Sequence, residues 1–230
     1  MMKLKSPAII ALALFIGACS TDRSDRSDRS RASAEGKEIT ADLRFSATPY
    51  DDVVADVRTD LMQTYPELRD LITDSRPSYG VLLVTPEQNV DAVNAIIEHA
   101  KAYGQIPADL RVAPEYNPSN TDGSIRYLSY YLIHEPADLI PVEPVIATEG
   151  KKNGNTVISL QFNGADIDSW ETVTRKHIGQ PLAIIVNGRV VSAPIIMDKI
   201  TGGKAEITGL LDHELYETLT KNGQKATVKH

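Results

Sequence analysis

The chain has 230 residues, 42 % of them hydrophobic and 24 % charged, which is ordinary for a globular protein and enough for a sizeable core. Its net charge of −7 argues against a nucleic-acid partner, because binding to a phosphate backbone demands clustered Lys and Arg.

Residues 1–18 have to be set aside before the fold is read. Lys3 and Lys5 precede an apolar run, PAIIALALFIGA, too short to span a bilayer comfortably as a mature helix. The run ends in Ile16-Gly17-Ala18-Cys19, which resembles the lipobox of bacterial lipoproteins. That resemblance implies cleavage before Cys19, acylation of its thiol and amino group, and a lipid-bilayer partner on the periplasmic side. Cys19 is the single cysteine, so no internal disulfide competes for it. Ser20, in place of Asp, resembles the type sorted to the outer membrane.

Residues 19–37 then read as a disordered tether. Asp-Arg-Ser occurs three times in TDRSDRSDRSRASAEGK, with no apolar side chain larger than Ala. As a coil it reaches about 20–25 Å.

The folded part is expected from Glu38, first as an α/β segment over 38–124. ITADLRFS predicts a strand. Thr48-Pro49 predicts a helix start, with Val53, Val54, Val57 and Leu61 on its apolar face. Pro66 restarts a short helix, Tyr79 to Val84 form a buried strand, and Thr85-Pro86-Glu87-Gln88 has the spacing of a capping box. The next helix turns Val90, Val93, Ile96, Ile97 and Ala100 inward and ends at Gly104. The turn formers of 113–124 mark the internal boundary.

A second domain, 125–230, opens with IRYLSYYLIHE, a long strand apolar on both faces. TVISLQF is a further strand. Asp168 is expected to cap a helix whose Trp170, Val173, Thr174 and His177 share a face and which Gly179 ends. Leu182 to Val186 are apolar without alternation, as in a central strand. Asn187-Gly188 predicts a type I′ turn, because both residues must take positive φ, with Arg189 to Ser192 returning beside it. Pro194 stops the pairing, Gly202-Gly203 turn again, and Ala205 to Thr208 form a short strand. A last helix capped by Asp212, with Leu211 and Tyr216 as a staple, closes at Gly223, and a strand is expected at 226–228. The fold class is therefore α+β: a small mixed or antiparallel sheet with packed helices, preceded by a second α/β segment.

The stretch Gln180-Pro181-Leu182-Ala183-Ile184-Ile185-Val186-Asn187-Gly188-Arg189-Val190-Val191-Ser192-Ala193-Pro194 resembles the head subdomain of the first periplasmic domain of SecD. Gly202-Gly203 and Ile207-Thr208-Gly209 stand at matching spacing, as do the upstream strand and the helix ending Thr174-Arg175-Lys176-His177-Ile178-Gly179. His177 stands where that family usually has Asn. The resemblance covers about 155–223 and implies a head that presents surface instead of chemistry, with an exported polypeptide or an envelope protein as its partner. SecD continues into transmembrane helices, so a chain ending at His230 is not expected to be a proton-driven subunit by itself.

No motif for nucleophilic, metal or phosphate chemistry is present, and no cofactor is expected. His134-Glu135 and His213-Glu214 are adjacent pairs whose side chains diverge. Asp166 and Asp168 lack the twelve-residue loop of a calcium site and read as caps. Tyr127, Tyr130 and Tyr131 are a candidate binding surface on an open sheet edge, with sheet packing as the alternative. Three functions follow, in descending order: a tethered binding module, a structural subunit of an envelope complex, and an enzyme using His177 or His134.

Overall fold

The structure is a computed structural model that describes residues 36–73, 79–116, 119–120, 125–152, 155–208 and 213–221. Cys19, most of the tether, Gly209, Leu211, Asp212, Gly223 and the strand expected at 226–228 lie outside the described residues.

In chain order the strands are β1 (Lys37–Glu38), β2 (Leu43–Ala47), β3 (Val81–Pro86), β4 (Leu110–Pro114), β5 (Ser119–Asn120), β6 (Arg126–His134), β7 (Ile146–Lys152), β8 (Asn155–Gln161), β9 (Leu182–Val186), β10 (Arg189–Ser192) and β11 (Lys204–Thr208). The helices are α1 (Asp51–Thr64), α2 (Leu68–Leu71), α3 (Val90–Ala102), α4 (Asp166–Lys176) and α5 (His213–Thr220). The strands make three sheets, ordered β1-β7-β8-β11, β10-β9-β2 and β3-β6-β4, with β5 also on β6. All their pairings are antiparallel, and the α+β class is as expected.

Period-two alternation splits β9 between two cores. Leu182, Ile184 and Val186 face a first core with Phe45, Phe162, Trp170, Ile158 and Ile207, while Ala183 and Ile185 face the other way. The long strand β6 is divided likewise. Leu128, Tyr130 and Leu132 enter a second core under α1, α2 and α3, whereas Tyr131 and Ile133 face a thin third layer with Ala113, Ala183, Ile185 and Val190. That layer holds the sheets of β9 and β6 face to face.

The boundary expected at 124/125 does not separate the sheets. β6 follows it yet pairs with β3 and β4, while β2 precedes it yet pairs with β9. The tether also ends earlier than expected, since Lys37 joins Glu38 in β1 against Ala147 and Ile146.

Three helix starts differ from expectation, two of them because tertiary contacts claim the capping residue. Thr48 does not cap α1, which begins at Asp51. Its amide bonds Pro181 O, and its side chain lies under Gly80, where even a Cβ would come within 2.3 Å of it. Val53, expected inward, is exposed. Thr85 stays in β3 and its hydroxyl donates to Leu71 O, so a short 3₁₀ turn (Glu87–Asn89) precedes α3. Asp168 sits inside α4, which starts at Asp166. The exit of α3 is as expected: Gly104 takes φ +70°, with Gly104 N donating to Lys101 O and Gln105 N to Ala100 O.

Candidate functional site: an apolar rim beside a histidine knot

α4 buries Trp170, Val173, Thr174 and His177 as its spacing requires, and so delivers His177 to its C-terminal end. Nδ1 of His177 lies 2.8 Å from Gln180 Oε1, and Nε2 lies 2.8 Å from Asp138 Oδ1. Lys176 Nζ donates to the same Oδ1 at 2.9 Å, and the Ala47 amide donates to Oδ2 at 2.8 Å. Burial pushes the Asp138 carboxyl up, but the Ala47 amide, Lys176 and His177 outweigh it and hold it below the usual carboxylate range. The knot ties α4, β2 and the strap after β6 together. Both imidazole nitrogens have partners and the ring is buried, so the arrangement holds these segments together. Sequence reasoning missed Asp138, which stands 39 positions from His177 with no motif around it.

His134 is not part of the knot. It ends β6, and its backbone carbonyl accepts the Ser46 hydroxyl at 2.6 Å. Among the described residues no three His, Cys, Asp or Glu side chains converge as metal ligands. Asp166 is a buried strap anchor and not a cap: its Oδ2 accepts the amides of Val142 and Glu143.

The three tyrosines do not form one surface. Tyr130 is 1 % exposed in the second core, and its hydroxyl donates to Asn94 Oδ1. Burial pushes its phenol up to about 12, with Arg189 opposing and Asp91 reinforcing the shift. Tyr131, on the opposite face of β6, is raised further by burial and by the Glu115 carboxylate. β6 also lies between β3 and β4, so the strand expected to offer an open edge has neighbours on both sides. Its apolar pattern on both faces reflects two buried faces, one under helices and one against another sheet.

The hairpin is scaffold. Asn187 and Gly188 take φ +49° and +80°, and Asn187 exchanges bonds with the Asp42 backbone through its own amide and Oδ1. Ser192 pairs with Ile184 after a register shift, and Pro194 O accepts the Leu182 amide across Ala193. Gly202 and Gly203 both take positive φ, and a Cβ on Gly203 would come within 2.8 Å of Ile167.

What the scaffold exposes is apolar. Ile178, just past the knot, bridges to Ile196, which Met197 follows in the chain. Ile178 and Met197 are 49 % and 64 % exposed. Backbone bonds from Gly179 N to Ile196 O and from Ile196 N to Gln180 O hold the two segments together. The strap from Asp138 to Glu143 runs antiparallel to α4, because Asp138 meets its end and Val142 its beginning. On that strap Ile140 and Val142 are also exposed, Val142 to 81 %. Among the described residues no helix is long and apolar enough to cross a membrane.

Comparison with known proteins places this region. The family described as the SecDF P1 head subdomain matches residues 140–220. The protein translocase subunit SecD of Magnetococcus marinus is 31 % identical over 111 residues, covering 48 % of this chain and 21 % of its own. SecD of Acidaminococcus fermentans is 37 % identical over 68 residues, covering 30 % of this chain and 16 % of its own. The SecDF subunit of Thermus thermophilus is 47 % identical over 57 residues, covering 25 % and 8 %. The chain thus spans about a fifth or less of the curated relatives it matches. The first two cores meet this segment differently: the first draws most of its side chains from it, the second none. Residues 140–220 of this chain form a SecDF P1 head-like domain.

Proposed function

We propose that the chain is a non-catalytic binding module of bacterial protein export, anchored on the periplasmic face of a membrane by acylated Cys19, whose head engages exported polypeptides at the rim of Ile178 and Met197. The observation that carries this reading is the rim itself. Exposed side chains on a rigid support give an apolar segment somewhere to bind, and methionine adapts to varied partners. The matched relatives are protein translocase subunits, which supports a role in export for a domain of this type. The occupied His177 nitrogens support a role without chemistry.

The test is photocrosslinking in the native envelope from a reactive residue at position 197 of the full chain. Many different exported polypeptides, lost when export is blocked, are expected. One partner recovered in fixed ratio instead makes the chain a structural subunit, and no crosslink above a control placed on exposed Gly150 overturns the rim. Release of a Cys19→Ala chain from the membrane fraction reads the anchor separately.

A further inference from the structure

A second surface lies in the other half, outside the SecDF-like segment. The C-terminal end of α1 and the loop after α3 enclose an open cleft of about 420 Å³, lined by Asp60, Gln63, Thr64, Gly104, Gln105 and Pro107. Asp60 is the one charge in that lining. The last turn of α1 carries no basic residue of its own to offset the negative, carbonyl-bearing end of the helix dipole.

The rim beside the cleft is aromatic and fixed. Tyr103, immediately before Gly104, is 71 % exposed and stacks on His99 at 4.2 Å between centroids. His99 meets the ring of Tyr65 edge-on. The Tyr65 hydroxyl donates to Gln105 Oε1, so it receives the Nδ1 proton of His99, 2.7 Å away. The backbone bonds that end α3 at Gly104 and Gln105 hold the loop. One face of Tyr103 is therefore spent on His99 and the other faces solvent.

We propose that this cleft binds a cationic side chain, the ammonium of a lysine or the guanidinium of an arginine, presented by a polypeptide segment. A carboxylate, carbonyl acceptors and an aromatic face together suit an organic cation. One carboxylate supplies too few hard ligands for a divalent metal, and an anion would meet Asp60 and the helix carbonyls.

The experiment is amide NMR on the whole chain, titrated with N-acetyl-lysine methylamide, its isosteric norleucine analogue and a glutamate analogue. Saturable shifts at Gly104 and Gln105 are expected with lysine alone. Tyr103→Ala and Asp60→Asn are each expected to weaken binding about 2- to 5-fold. The unchanged amide positions of Leu83 and Leu132, in the second core beside the cleft, check that both variants remain folded. Shifts of equal size with norleucine or glutamate, absence of saturation, or unchanged binding in both variants overturns the proposal. The head reading is untouched by that failure, because exposed Met197 belongs to the other half, next to Ile196 of the first core.

Discussion

The two large cores are built on different plans. The first centres on aromatic rings, with Phe45, Phe162 and Trp170 4.9–5.5 Å apart, and gathers strands remote from each other in sequence. The second is mostly aliphatic, made by three successive helices laid on one sheet. The first therefore depends on a strand outside the segment that carries its family resemblance: β2 supplies Leu43, Phe45 and Ala47 and pairs with β9 along its length. A domain recognised by a run of sequence need not be complete within that run.

The largest expected effect breaks this dependence. Phe45→Ala removes a fully buried ring and should cost about 3–5 kcal/mol, read as a fall in the urea midpoint of Trp170 fluorescence. Leu132→Ala in the second core should cost about 2–5 kcal/mol. The layer of Ala113, Ile133, Ala183, Ile185 and Val190 joins the two sheets, so the Trp170 transition should fall with it. A Trp170 midpoint unmoved by Leu132→Ala makes the halves separate cooperative units.

The next effect depends on pH. The Asp138 carboxyl is lowered in the folded chain, so its contribution is present above the unfolded value near 4 and is lost as pH falls through the lower folded value. Wild type should exceed Asp138→Asn in stability by about 1–3 kcal/mol near neutrality. The gap should close in acid, where both side chains are uncharged. A gap independent of pH between 7 and 2 removes the knot from the account. The smallest effect is at the hairpin. Asn187→Ala should cost about 1–2 kcal/mol for a left-handed residue, and Asn187→Gly less, as chemical denaturation would show.

Much of the first core was legible. The face of Trp170, Val173, Thr174 and His177 follows helical spacing, and Asn-Gly between two apolar runs admits few other turns. The rest is hidden for physical reasons. Nothing local ties Asp138 to His177, since each is chosen by a contact that only the assembled fold creates. Tyr130 and Tyr131 look alike in sequence, and only the neighbours of β6 send one into a helical core and the other between sheets. Thr48 and Thr85 carry capping chemistry that the fold does not spend on caps: Thr48 is packed under Gly80 with its hydroxyl unbonded among the described residues, and Thr85 bonds Leu71.

The pairing of β2 with β9 also sets an order of assembly. Asp42 and Asn187, which close the end of that ladder, are 145 positions apart. A chain emerging amino end first must keep Leu43, Phe45 and Ala47 unmatched until Leu182 to Val186 have been delivered. Closing so long a loop adds only a slowly growing entropic cost, yet nonlocal pairing of this kind slows folding. The strands of the helical half, β3, β4 and β6, all precede β9, so they can pair while β2 still waits for its partner.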